Sequence, residues 1–276
     1  MVEKSLLSYK QNVFSQNGED GIVERIFEVI GTTTKCCCEF GAWDGIHLSN
    51  CRQLILNGWS ALLIESDLEK FVQLGKTYEG NNKVCCVNRY VDANINSLSN
   101  ICKEFNIGEL DFLSIDIDGL DYEIFETINI FPRVICVEVN AGHSPSKLNL
   151  FSSEVAKINI GQPLCKFSEV AKMKGYSLVS YTGNAFYIRN DILSNSNIVS
   201  LSDDEAYLDF LRFLSKEEKE WLYLVNLGLV NPYFPFQNVF LSRQNLGINL
   251  RRSIELFVKV ISSWIERTIK LIVKKN

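Results

Sequence analysis

Several features that would assign this chain to a common class are missing from its sequence. No pair of cysteines has the CxxC spacing of metal and redox sites, and neither a GxGxxG fingerprint nor a GKS or GKT phosphate loop occurs. No run of 18 apolar residues is present, so the sequence predicts no transmembrane helix. The first residues lack the apolar core of a secretory signal, and we therefore expect a cytoplasmic protein.

Charge is distributed unevenly along the chain. The formal net charge is -5 and the pI is about 5.3, which argues against broad binding of nucleic acid. Residues 251–276 nevertheless carry seven Lys and Arg side chains against two Glu, a net charge of +5, and this leaves -10 on the residues before them. The basic end of an otherwise acidic chain needs a separate explanation.

The nine cysteines are expected to be reduced. Their number is odd, and six of them lie within apolar β-like segments, where cysteine behaves as a small hydrophobic residue. These six are Cys36, Cys37, Cys38, Cys85, Cys86 and Cys136. The placement predicts free thiols in a reducing cytoplasm rather than disulfides or a metal cluster.

Apolar β-like segments alternate with helical segments over the first 140 residues. The predicted strands cover residues 35–40, 60–65, 83–91, 110–116 and 133–139, and the predicted helices cover 20–31, 50–57, 67–78, 97–106 and 119–128. A helix over 166–174 and a hairpin over 176–181 and 185–189 follow. The pattern predicts an α/β fold whose mostly parallel sheet, covered on both faces, ends in an antiparallel hairpin.

The pattern changes after residue 190 and predicts two regions, a domain over 1–190 and an extension over 191–276. The extension is rich in aromatic residues and contains a predicted helix over 203–225, an irregular segment over 228–248 and a basic amphipathic helix over 251–273. Its aromatic side chains predict either a wall of an acceptor pocket or ordinary packing.

The ends of the first two predicted strands carry acidic residues. In an open parallel sheet, ligands bind beyond the carboxyl ends of the strands. Glu39 ends the first strand, where it would face an ammonium or hydroxyl group, and the turn after it contains Gly41 and Gly45. Glu65, followed by Ser66, ends the second strand and suits a bond to the hydroxyls of a ribose.

Two residues near these strands have a local alternative. Ser66 and the following Asp67 also suit the N-cap of the next helix. Asp92, after the third strand, predicts either an acceptor for an adenine amino group or a turn residue.

Further oxygen ligands follow the fourth and fifth strands. Asp116 and Asp118 are two residues apart and so share a face, and the same holds for Glu138 and Asn140. An all-oxygen set of this kind suits Mg²⁺ or Mn²⁺. His143 follows in a glycine-containing loop, where it predicts either a general base or a surface histidine.

The sequence resembles the FkbM-like S-adenosylmethionine-dependent methyltransferases over about residues 10–190. The resemblance lies in the blocks Phe14–Gly21, Glu39–Gly45, Gly58–Glu65, Asp111–Gly119, Val137–Asn140 and Gly183–Phe186. It implies the Rossmann-like class I methyltransferase fold, with seven strands and the antiparallel hairpin at the end.

The same resemblance implies roles for individual residues. Gly41, Ala42, Trp43, Asp44 and Gly45 would surround the methionine part of S-adenosylmethionine, and Glu65 would hold its ribose. Ser15 and Gln16 belong to a segment that would close over the cofactor. We also expect Asp116 to contact the cofactor.

Members of this family commonly methylate hydroxyl groups of sugars and natural products, so the resemblance implies an O-methyltransferase. We expect a sugar or nucleotide-sugar acceptor, as in surface-polysaccharide synthesis. The carboxylates also look like the metal site of catechol-type O-methyltransferases, with Asp116, Glu138 and Asn140 on a Mg²⁺ or Mn²⁺ that lowers the pKa of the acceptor hydroxyl. His143 or Asp118 would then take the proton.

Two alternatives to this enzyme remain from the sequence. A methyltransferase-like scaffold in a glycan assembly complex would explain the basic C-terminal helix, whereas a dehydrogenase is disfavoured by the missing GxGxxG and by the hairpin. The C-terminal helix itself predicts contact with its own domain, with a second copy in a homodimer, or with an anionic lipid surface at the inner face of the membrane.

Overall fold

A seven-stranded sheet forms the centre of the protein. The computed structural model describes residues 4–92, 94–117, 120–139, 162–216, 218–219 and 222. The strands are β1 (Cys36–Phe40), β2 (Ser60–Glu65), β3 (Val84–Asn88), β4 (Phe112–Ile115), β5 (Val134–Glu138), β6 (Tyr176–Tyr181) and β7 (Asn184–Arg189). Their order is β3-β2-β1-β4-β5-β7-β6, with β1 to β5 parallel and β7 antiparallel to both β5 and β6. The predicted fold class is confirmed.

Helices precede and connect the strands. They are α1 (Glu19–Ile30), α2 (Arg52–Leu56), α3 (Leu68–Thr77), α4 (Leu98–Glu104), α5 (Asp121–Thr127), α6 (Leu164–Met173), α7 (Asn190–Leu193) and α8 (Asp203–Phe213). A 3₁₀ turn at Leu6–Tyr9 packs against α1. Local capping chemistry fixes some of the helix starts, as where the Asp67 side chain accepts a bond from the N–H of Lys70 at the start of α3.

The register of the central strands decides which side chains meet at the cleft. Glu39 on β1 is level with Leu63 on β2 and with Ser114 on β4. The parallel strands therefore end together, and the residues after them lie at one edge of the sheet. All five residues of β1 are buried, which suits small thiol side chains in the middle of a sheet covered on both faces.

A buried ion pair holds the opposite, amino-terminal edge of the sheet. Arg133 Nη1 donates to Asp111 Oδ1 at 2.9 Å, and the two side chains are 8% and 0% exposed. Asp111 also accepts bonds from the backbone N–H groups of Thr33, Thr34 and Lys35. These contacts join the segments that lead into β1, β4 and β5. The Arg133 guanidinium also donates to the carbonyls at the end of α1, where a cation is favoured.

Two predicted elements differ in extent. The third strand ends at Asn88, three residues before the predicted end. The helix predicted over 203–225 is interrupted, since α8 ends at Phe213 and Ser215 starts a new turn. There the Ser215 hydroxyl accepts from Glu218 N–H, while the Glu218 carboxylate accepts from Ser215 N–H. This reciprocal capping favours a new helix start over a continuous helix.

The C-terminal extension is described only in part. Phe210 and Ala206 of α8 are buried and pack into the main core, where the Phe210 ring lies 5.0 Å from the ring of Tyr181 on β6. The segments predicted over 228–248 and 251–273 lie outside the described residues. Within the described part of the chain, no helix is long and apolar enough to cross a bilayer.

Candidate active site

A cleft of about 600 Å³ opens at the carboxyl ends of β1, β2, β4 and β5. Such a volume lies within the usual range for small-molecule sites. Eight of the residues predicted from the sequence line it: Gln16, Glu39, Gly41, Trp43, Glu65, Ser66, Asp116 and Glu138. The fold therefore brings together residues that are more than 100 positions apart in the chain.

The remaining predicted residues lie next to the cleft or outside the described part. Ala42 is buried and its N–H donates to the carbonyl of Ile64, so it joins the β1 loop to β2. Asp92 Oδ1 accepts from the N–H groups of Asn94 and Asn96, which is the turn role that the sequence left open. Contact of Asp92 with an adenine stays a prediction. Asp118, Asn140 and His143 lie outside the described residues.

The loop after β1 is shaped by glycine and by an aspartate. Gly41 has φ +66°, and a Cβ on it would lie 2.1 Å from the carbonyl oxygen of Asp116, so no side chain fits there. Gly45 has φ +73°, and the Asp44 carboxylate accepts from the N–H groups of Ile46 and His47. These contacts fix the loop against the end of β4 and turn it back toward β2.

Glu65 is held in place by the backbone around it. Glu65 is only 5% exposed. Its Oε2 accepts a hydrogen bond from Trp43 N–H at 2.9 Å, and its Oε1 accepts one from Asp67 N–H at 2.8 Å. A carboxylate offers about four lone-pair positions, so both oxygens retain capacity for ligand hydroxyls. Glu65 is thus a preoriented acceptor at the position predicted for a ribose.

Glu39 is a second buried carboxyl group in the cleft. It accepts from the Ser49 hydroxyl and from Asn50 N–H, each at 2.6 Å. Burial raises the pKa of Glu39 to about 7, the nearby Asp116 adds to the rise, and the two hydrogen bonds oppose it. A cationic ligand beside this carboxyl would favour its ionised form.

The N-terminal segment is tied to the same region by two acidic residues. Asp20 Oδ2 accepts from the N–H groups of Val13, Phe14 and Ser15 and from the Ser15 hydroxyl. The neighbouring Glu19 is completely buried and accepts from Thr182 and Asn184 at the β6–β7 turn. These bonds hold Ser15 in place, and its contact with the cofactor stays a prediction; Gln16 beside it lines the cleft.

Sequence reasoning missed several residues that line the cleft. His47, Lys70 and Tyr90 are among them, and they follow β1, β2 and β3 in the chain. The sequence signal for His47 is its position two residues after Gly45, in the loop that follows β1. Lys70 lies in the first turn of α3, so it is not among the residues that directly follow a strand.

The charges of the cleft suit S-adenosylmethionine, which carries an ammonium and a sulfonium group. Glu39, Asp116 and Glu138 offer carboxyl groups at the ends of β1, β4 and β5, and Glu65 offers a fourth at β2. Arg89, one of two Lys or Arg residues among the described residues that line the cleft, is paired with Glu104 at 2.5 Å. The donor set therefore fits a cationic ligand that also has a ribose.

The sheet order, the terminal hairpin and the cleft at the strand ends define a Rossmann-like methyltransferase fold. Residues 46–158 match the family model of the methyltransferase FkbM domain. No protein of curated function matches the chain.

Solved structures with a similar fold share little sequence with this chain. A protein described as a caffeoyl-CoA O-methyltransferase from Staphylococcus aureus is 15% identical, with 60% of this chain and 79% of that chain covered and a TM-score of 0.41. One described as a tRNA (m1A22) methyltransferase from Streptococcus pneumoniae is 12% identical, with coverage of 89% and 97% and a TM-score of 0.43. At these values the likeness carries no argument about substrate.

Proposed function

We propose that the protein is an S-adenosylmethionine-dependent O-methyltransferase that acts on a hydroxyl of a sugar, such as a nucleotide sugar or a surface-polysaccharide precursor. The observation that carries the cofactor assignment is Glu65, a buried carboxylate preoriented by Trp43 and Asp67 at the end of β2. The FkbM domain match supports methyl transfer. The sugar acceptor rests on the family resemblance.

The side chains of the cleft have separate tasks in this proposal. S-adenosylmethionine supplies an activated methyl group when bound. Glu65 accepts hydrogen bonds from the ribose hydroxyls, and the negative potential of Asp116 and Glu138 favours a cationic ligand at the neighbouring strand ends. Glu39 holds the loop at Ser49 and Asn50 and adds a carboxyl group to the cleft.

Metal assistance stays a prediction from the sequence. Among the residues that the structure describes, no group of three His, Cys, Asp or Glu side chains could hold a metal ion. Asp116 and Glu138 both line the cleft, while the third predicted ligand, Asn140, lies outside the described part. The described donors alone do not form a metal site. Proton removal by His143 or Asp118 likewise stays a prediction.

The aromatic residues of the extension that the structure describes pack against the main core. The ring of Tyr207 lies 6.5 Å from that of Tyr181 and 6.4 Å from that of Phe210. These contacts place both α8 rings against β6 rather than in the cleft. An acceptor wall built from the later aromatic residues remains part of the proposal.

Binding and product analysis together test the proposed function. We expect S-adenosylhomocysteine to bind the full chain with micromolar affinity in calorimetry. We also expect one sugar or nucleotide sugar from a panel to gain the mass of one methylene group when S-adenosylmethionine is added. Binding without any methylated product would favour the non-catalytic scaffold. The absence of binding would contradict the proposal that the protein is a methyltransferase.

The basic residues 251–276 supply the second part of the proposal, a peripheral contact with an anionic membrane surface. Their net charge of +5 and the apolar positions between the charges suit such a surface. We expect the full chain to sediment with vesicles that contain anionic lipid, to be released by salt, and to lose this binding after truncation at Leu250. Salt-insensitive dimers that dissociate on the same truncation would assign the segment to a second copy instead.

A further inference from the structure

Trp43 occupies an unusual backbone conformation beside Glu65. Its φ is +48°, in the left-handed region that a bulky residue with a Cβ rarely adopts. In this conformation its N–H donates to Glu65 Oε2 at 2.9 Å. Strained residues of this kind persist where surrounding contacts enforce them, and they cluster at functional sites. The backbone of Trp43 thus has a positioning role for Glu65.

The indole of Trp43 forms part of the wall of the cleft. Trp43 is 40% exposed although it lies in a loop that is otherwise tied down. The Lys70 ammonium lies 4.6 Å from the centre of the indole, and the His47 ring lies 5.4 Å away. A cation at this distance from an aromatic ring is attracted to it, so Lys70 holds the indole against α3.

The order of the strands indicates which part of a bound cofactor the indole would meet. Along the cleft, the end of β4 carries Asp116, β1 carries Gly41, β2 carries Glu65 and β3 leads to Tyr90. With the ribose at Glu65 and the methionine part toward β1 and β4, the base lies toward β3 and α3. The indole contacts Lys70 of α3 and therefore lies on the side of the base.

We propose that Trp43 is a nucleoside-recognition residue, in which the backbone N–H orients Glu65 and the indole stacks on the base of the cofactor. This inference rests on the proposed function, because it needs a nucleoside cofactor with its ribose at Glu65. It assigns the indole to the base, whereas the family resemblance places the whole Gly41–Gly45 turn around the methionine part.

Three substitutions separate the backbone of Trp43 from its side chain. Trp43→Gly and Trp43→Asn both tolerate a positive φ and keep the N–H that reaches Glu65, but they remove the indole. Trp43→Phe keeps an aromatic face. We expect the Gly and Asn variants of the full chain to unfold at the same temperature as the wild type or higher. Their affinity for S-adenosylhomocysteine should fall about 5- to 150-fold, as for loss of one stacked base. The Phe variant should lose less than the Gly and Asn variants.

Ligand fragments test the place of the indole along the cofactor. Calorimetry with adenosine alone should show the same relative loss in Trp43→Gly as calorimetry with S-adenosylhomocysteine. A loss seen with S-adenosylhomocysteine but not with adenosine would overturn the inference, because the indole would then serve the methionine part. A matched control is Leu68→Ala, an exposed change on α3 at a residue that does not line the cleft, which should leave both affinities unchanged.

The outcomes distinguish this inference from the function on which it rests. Wild-type binding together with unchanged affinity in the Gly and Asn variants would overturn the role of the indole and leave the methyltransferase proposal intact. No binding of S-adenosylhomocysteine to the wild type would overturn both. Quenching of tryptophan emission by S-adenosylhomocysteine in the wild type, lost in Trp43→Phe, would support a direct contact.

Discussion

Substitution of Glu65 by alanine is expected to reduce the affinity for S-adenosylhomocysteine at least about a hundredfold, because two hydrogen bonds to a charged acceptor are lost and each is worth about 1.5–3 kcal/mol. The same change leaves the N–H groups of Trp43 and Asp67 without the acceptor they now share. Calorimetry on the full chain measures the affinity, and thermal unfolding checks that the variant is folded.

Two further variants make the Glu65 result specific. Glu65→Gln keeps the shape but replaces one acceptor oxygen with an amide group that donates, and this amide would face a backbone N–H. We expect its affinity to lie between those of the wild type and the alanine variant. Glu69→Gln, an exposed change on α3, is the charge-matched control and should bind as the wild type does. If the wild type and Glu65→Ala bind S-adenosylhomocysteine with equal affinity, Glu65 does not bind the cofactor.

Substitution of Arg133 by methionine is expected to lower the free energy of unfolding by about 3–5 kcal/mol, since it leaves the buried Asp111 carboxylate without its charged partner. It also removes the donors that satisfy the carbonyls of Ile30 and Gly31. Urea unfolding measures the change. Arg89→Met breaks the more exposed pair with Glu104, which water screens, and should cost much less than Arg133→Met. Equal costs for the two would contradict the role of the buried pair.

The acid stability of these variants gives a second readout of the same ion pair. Burial tends to raise the pKa of Asp111, but the bonds from Arg133, Thr33 and Lys35 outweigh burial and hold the pKa below its ordinary value. A carboxyl group with a lowered pKa stabilises the fold above its unfolded pKa of about 3.9, and this stabilisation is lost as the pH falls through the folded value. Arg133→Met should therefore flatten the dependence of stability on pH below about pH 4.

The sheet and the position of the cleft could be predicted because both depend on patterns that are local in the sequence. Apolar runs of β-like residues between helical segments indicate parallel strands, and the residues that end those strands must then lie at one edge. Glu39, Glu65 and Asp116 were found in this way. The hairpin was visible because Gly183 lies between two short apolar segments.

The contacts that orient these side chains could not be predicted in the same way. Glu39 is bonded to Ser49 and Asn50, and the path of the loop that brings them there is not set by periodicity. Asp111 and Arg133 are 22 residues apart and belong to no motif that marks an ion pair. The break in the predicted helix over 203–225 did have a signal, the Ser215 and Glu218 spacing of a capping box.

The buried cysteines of the sheet can report local unfolding of the protein through their reactivity. Burial raises the pKa of the Cys38 thiol on β1 and that of the Cys136 thiol on β5 well above the ordinary value. Because the thiolate is the reactive form, these groups are chemically silent while the strands stay paired. Each becomes reactive only when the part of the sheet around it opens, so the rate at which an alkylating reagent consumes a given thiol reports the free energy of that local opening.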